Sequence, residues 1–101
     1  MSARLLIWTN PSSPERAEEF DRWYDVVHLP QVLEVVDGVV GGARYASVAD
    51  GQWRSLAVYD VDLPQPRDVV ANLNGAIKSG ALELSDVMSP KLQMKLVDEL
   101  S

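Results

Sequence analysis

With 101 residues, 47% of them hydrophobic and 24% charged, the chain has the size and composition of one ordinary globular domain and is too short for two. Its net charge of −6, with Arg4, Arg16, Arg22, Arg44, Arg54 and Arg67 scattered, argues against nucleic acid, which needs a basic face. No apolar run approaches the roughly 20 residues of a membrane span, and the lack of any cysteine excludes disulfides, thiolate nucleophiles, iron–sulfur clusters and Cys-ligated zinc.

Ala3 to Thr9 reads as a short buried strand, with Leu5 and Ile7 on one face and Leu6 and Trp8 on the other. Met1-Ser2-Ala3-Arg4 runs straight into it without a signal-peptide core, so a cytoplasmic location is expected. Asn10 to Ser13 is a turn, and Ser13-Pro14 suits a helix start, with a hydroxyl to cap and a proline for the first position. Phe20, Trp23, Tyr24, Val27 and His28 then fall on one face of a helical period. Pro30 disfavours helical geometry at Leu29, so the helix is expected to end or kink there, with room for a further turn over Gln31 to Val36 before Asp37-Gly38 stops it.

Val39 to Ser47 reads as a second strand in which Gly41-Gly42 marks a bulge or a close backbone approach. Asp50-Gly51 is a hairpin turn, and Trp53 to Val61 a third strand. Pro64 and Pro66 interrupt the chain before a second amphipathic helix marked by Val69, Val70, Leu73, Ala76 and Ile77 and closed by Gly80. Ala81 to Pro90 reads as an irregular link with one helical turn, and Leu92 to Leu100 as a last strand. The expected fold is α+β: a ferredoxin-like βαββαβ arrangement over residues 1–101 with a four-stranded antiparallel sheet.

Both helices of that arrangement cover one face of the sheet, so the other face of a monomer should be polar. Here Leu5/Leu6/Ile7/Trp8, Val39/Val40 and Leu56/Ala57/Val58/Tyr59 are apolar on both parities. A symmetric homodimer is therefore expected.

The segment Glu19-Phe20-Asp21-Arg22-Trp23-Tyr24-Asp25-Val26-Val27-His28-Leu29-Pro30, followed by Gly38 and Arg44-Tyr45, resembles the first-helix signature of EthD-like dimeric α/β-barrel proteins. The likeness is strongest over residues 19–30, and the element order extends it more weakly along the chain. It implies pairing as a dimeric α/β barrel. It leaves the activity open, because that superfamily includes polyketide cyclases, lactone isomerases, cofactor-independent monooxygenases, haem enzymes and members without known activity. Val26-Val27-His28 is also similar to the corresponding helix of methylmuconolactone isomerases, where a histidine serves the pocket. Those enzymes have a second functional histidine, and His28 is the only histidine here. Asp37 stands where the usual proline precedes the glycine, which implies an altered turn. Haem ligation like that of the longer peroxidase-type members is not expected in so short a chain.

His28 is the sharpest candidate, since imidazole is the commonest general acid–base group. Spacing alone favours a buried structural histidine, and the resemblance raises the functional reading beside it. Tyr24, one turn earlier, can donate to a developing oxyanion or simply pack its ring. Asp25, three residues before His28, has the spacing to hold the imidazole. Trp8, Asn10, Trp23, Tyr45 and Tyr59 are candidate substrate contacts, although aromatic residues on strands and helices are more often plain core. Trp53 shares that double reading. Arg44 can pair a substrate carboxylate or be a solvated arginine on a strand edge. One histidine with dispersed carboxylates offers no metal-ligand spacing, no glycine-rich phosphate loop is present, and no cofactor is expected. The sequence thus points to a cofactor-independent cyclase or isomerase moving a proton beside a carbonyl of a polyketide, lactone or aromatic metabolite. A cofactor-free monooxygenase of phenols, with Trp8 and Asn10 in its pocket, and a non-catalytic carrier of a hydrophobic metabolite are the alternatives.

Overall fold

Regular alternation in the first strand sets up the architecture of the computed structural model, which describes residues 3–48 and 51–100. β1 (Ala3–Pro11) buries Ala3, Leu5, Ile7 and Thr9 and turns Arg4, Leu6, Trp8 and Asn10 to the opposite side. β3 (Ser55–Val61) repeats the pattern, burying Ser55, Ala57, Tyr59 and Val61. With β2 (Val39–Ala46) and β4 (Met88–Asp98) they form one sheet in the order β2-β3-β1-β4, every neighbouring pair antiparallel. Asp50 of the expected hairpin turn lies outside the described residues, whereas Gly51 takes a left-handed φ of +69°. Among the described residues no helix is long and apolar enough to cross a membrane.

The first helical segment departs from expectation. It starts as a 3₁₀ turn (Pro14–Arg16), in which the Ser13 hydroxyl makes no capping bond. It continues as α1 (Ala17–Trp23), widens into a π turn (Tyr24–His28) and runs on as α2 (Leu29–Val35). Pro30 therefore neither ends nor breaks it. The Leu29 N–H donates to the Tyr24 carbonyl, five residues back, and this wider turn relieves the clash that a proline ring makes with the carbonyl four residues earlier. Pro30 falls in the first turn of α2, where a missing N–H costs little.

The π turn also changes which residues are inside. Phe20, Tyr24, His28, Val32 and Val36 are all buried, a spacing of four throughout. In an unbroken α-helix each step of four overshoots a turn by about 40°, so such a stripe would wind off the core. A wider turn absorbs the drift. It also turns Val27, expected on the buried face, out to 46% exposure.

Gly41-Gly42 does mark a bulge: the β2–β3 register shifts between Val39 and Gly41. α3 (Asp68–Ser79) buries Val69, Leu73 and Ala76 and stops at Gly80, whose φ is +83°. The following link has no helical turn. Leu82 instead donates its N–H to the Ala76 carbonyl at 3.0 Å, and Ser12 donates to the Val87 carbonyl at 2.7 Å. Leu82 and Val87 are thereby buried in the hydrophobic core.

Candidate functional site

The buried face of the sheet and the helices that cover it leave an apolar cavity of about 150 Å³. β1 supplies Ile7 and Thr9, the π turn Tyr24 and His28, β3 Tyr59, and β4 Met94. Four of its other lining residues, Asn74, Ile77, Leu84 and Leu92, are exposed. The cavity therefore opens to the surface between α3, the link that follows it and β4.

The polar residues around this space set its chemistry. Thr9 Oγ1, His28 Nδ1 and Tyr59 Oη are buried and have no hydrogen-bond partner. Buried polar groups without partners are rare, because each one costs desolvation free energy that nothing returns. All three residues line the same cavity. The Tyr59 and Thr9 hydroxyls lie close enough to that of Tyr24 to perturb its ionisation, but neither Tyr59 Oη nor Thr9 Oγ1 closes a well-formed bond. A ligand with a polar oxygen would satisfy what the fold leaves open.

His28 is 6% exposed. Its ring stacks on Trp23, with centroids 4.6 Å apart and planes 19° apart, and meets the Tyr24 ring edge-on at 4.8 Å. Burial, assisted by the charge of Arg44, pushes the imidazole down to about 4, so it is uncharged at neutral pH. Burial likewise raises the Tyr24 and Tyr59 phenols above their ordinary range, keeping both as hydroxyls. The helix runs on past His28, so no helix-end charge favours imidazolium, and desolvation dominates.

Of the residues expected at a site, His28, Tyr24 and Tyr59 come together, and Trp23 backs the His28 ring. The others lie elsewhere. Asp25 does not hold the imidazole; its carboxylate accepts from Arg44 Nη1 at 2.9 Å. Trp8 is on the opposite face of the sheet, because it alternates with Ile7 and Thr9. Asn10 ties down a loop, donating to the Gln52 carbonyl at 2.9 Å and accepting from the Arg54 N–H at 2.7 Å. Tyr45 is 56% exposed and lines a separate charged cleft with Asp21, Asp25, Arg44 and Arg54. Trp53 precedes β3 and lines an open surface cleft. Thr9 was missed as a site residue, although a polar residue at the buried parity of β1 was the available signal.

Arg44 is not the solvated strand-edge residue that its position suggested. Its side chain is 13% exposed, and its guanidinium lies over the Tyr24 ring at 4.5 Å and the Phe20 ring at 5.4 Å. It donates to Asp21 Oδ1, Asp25 Oδ1, the Asp21 carbonyl and Ser55 Oγ. Asp21 also accepts from Arg54 at 2.6 Å. Those arginines, Arg54 first, hold the Asp21 carboxyl below its ordinary value. The network clamps α1 and the π turn to β2 and β3. Among the described residues no cluster of acids and histidine has metal-binding geometry.

No protein-family model matches the sequence, and no curated protein matches it. Solved structures do resemble it. An EthD family protein from Bacillus halodurans superposes with a TM-score of 0.59 at 17% identity, covering 99% of this chain and 100% of that one. HapK from Hahella chejuensis gives 0.59 at 12% identity, covering 99% and 93%. A dimeric ferredoxin-like protein of unknown function from Thermobifida fusca gives 0.50 at 16% identity, covering 96% and 90%. At such identities the likeness is one of fold, and the chain has the ferredoxin-like α+β fold of the EthD-like dimeric α/β-barrel proteins.

Proposed function

We propose that the protein is a cofactor-independent enzyme that isomerises or cyclises a small carbonyl-bearing ring metabolite by proton transfer, and that it works as a homodimer. The observation that carries this reading is that the three residues with unpartnered buried polar atoms, Thr9 (Oγ1), His28 (Nδ1) and Tyr59 (Oη), all line one apolar cavity. The uncharged imidazole of His28 removes a proton from the carbon beside the carbonyl. The Tyr24 hydroxyl donates to the oxygen as it gains enolate character, and the proton then returns at another carbon. Asp25 has no part in this. A dry cavity of about 150 Å³ accommodates benzene in other proteins, so the size favours a lactone or a single aromatic ring over a fused polyketide. The monooxygenase reading loses its support, since Trp8 and Asn10 lie away from the cavity. Pairing is supported by the apolar open face of the sheet and by the dimeric description of the Thermobifida fusca neighbour.

One observation favours a second reading, a non-catalytic binding protein for the same molecules. An imidazole pushed down to about 4 is a weak base, which lowers the driving force for proton abstraction. Deuterium exchange separates the two. In D₂O the wild-type protein is expected to catalyse exchange beside the carbonyl of cyclic ketones or lactones, and His28→Ala to slow it about 100-fold or more. Exchange that persists in His28→Ala sinks the enzyme reading, and binding without exchange establishes the carrier.

A further inference from the structure

Among the described residues fourteen line the cavity, and none of these is an aspartate, glutamate, lysine or arginine. Its polar groups are three hydroxyls, the His28 imidazole and the Asn74 amide. The charge that acts on His28 is that of Arg44, and this charge is committed elsewhere. Four of the five guanidinium N–H groups are bound to Asp21, Asp25 and Ser55, none of which lines the cavity. The guanidinium packs against the Tyr24 ring, so it lends the site a field without offering it a donor.

We infer that the cavity selects an uncharged, single-ring molecule bearing a hydroxyl or carbonyl oxygen and discriminates against carboxylates and amines of the same size. The inference rests on the cavity being a ligand site, as proposed above. A neutral oxygen entering it meets Thr9, Tyr59 and His28, whose polar atoms lack a hydrogen-bond partner, and needs no opposite charge. An entering carboxylate or ammonium sheds its water and meets hydroxyls and apolar side chains, with no opposite charge to offset the desolvation. The proposed chemistry obeys the same restriction. Proton transfer from a neutral ligand to neutral His28 creates imidazolium and enolate together, and the cavity stays neutral overall.

The sole histidine provides the readout. Its ring signals in proton NMR at pH 7 would be followed during titration of the wild-type protein with phenol, cyclohexanone, benzoate and benzylamine. Phenol and cyclohexanone are expected to shift them, with benzoate and benzylamine binding at least about tenfold more weakly. A smaller difference for either charged probe overturns the inference while leaving the cavity a ligand site. If no probe moves the His28 signals, the inference falls together with the proposed function.

Discussion

Because burial first, and the Arg44 charge second, push the His28 imidazole down to about 4, the folded protein binds that proton less tightly than the unfolded chain, whose histidine titrates near 6.5. The stability this provides is complete above about pH 6.5 and is lost as the pH falls through the folded value, the loss amounting to roughly 3 kcal/mol by pH 4. Asp21, held below its ordinary value by Arg54 and Arg44, gives up its own contribution at more acid pH. Urea unfolding between pH 7 and 4 should therefore show a stability that declines in this window, and His28→Asn should flatten the decline. A wild-type profile without slope there would contradict a buried, uncharged imidazole. The pair Tyr24 and His28 was legible in the sequence because a spacing of four survives any helix that packs on a sheet. The role expected of Asp25 failed for a different reason. Spacing along a helix says which groups can meet, but Arg44, nineteen positions away on β2, competes for the carboxylate and has no local signature.

The elements themselves followed from periodicity: period two in β1 and β3, and a helical stripe in α3. What periodicity hid was the π turn, since a proline after a histidine reads as a stop until the wider turn that accommodates it is seen. The glycine pair in β2 was readable as a disturbance, and the structure separates its two members. A Cβ on Gly42 would lie 2.9 Å from Cδ1 of Tyr59, a ring that is fully buried. A Cβ on Gly41 would meet instead the Asp60 carboxylate at 2.7 Å, the end of a half-exposed side chain free to swing aside. Gly42→Ala is thus expected to destabilise by about 1–3 kcal/mol through overpacking, and to displace the Tyr59 ring at the cavity wall. Gly41→Ala should cost markedly less. Thermal unfolding of the two variants side by side checks this, and equal losses would mean that Gly42 is not kept small by Tyr59.

At the scale of the molecule, the strand registers assemble the open face of the sheet into one apolar strip. Leu6 pairs with Val58, Trp8 with Leu56, and Leu56 in turn with Tyr45, while Ala43 sits beside Val58. The sequence announced this strip as apolar residues on both parities of its strands, and the helices leave it uncovered. A chain of this size gains much of its remaining burial by association, so the strip is the surface on which the proposed homodimer would form. Leu56 lies near its centre, flanked by β1 and β2. On a monomer, Leu56→Lys would leave the ammonium in water and change stability by about 0.5 kcal/mol or less. In a dimer closed over the strip it would bury a charge without a partner, which costs several kcal/mol of association. Sedimentation velocity is expected to give a dimer for the wild-type protein and a monomer for Leu56→Lys, with the same far-ultraviolet circular dichroism. Because Leu56 and Tyr59 have opposite parities on β3, the His28 signals should survive in the variant if it remains folded. A wild-type monomer at micromolar concentration would remove the homodimer from the proposal and leave the cavity, which belongs to the other face of the sheet, as it stands.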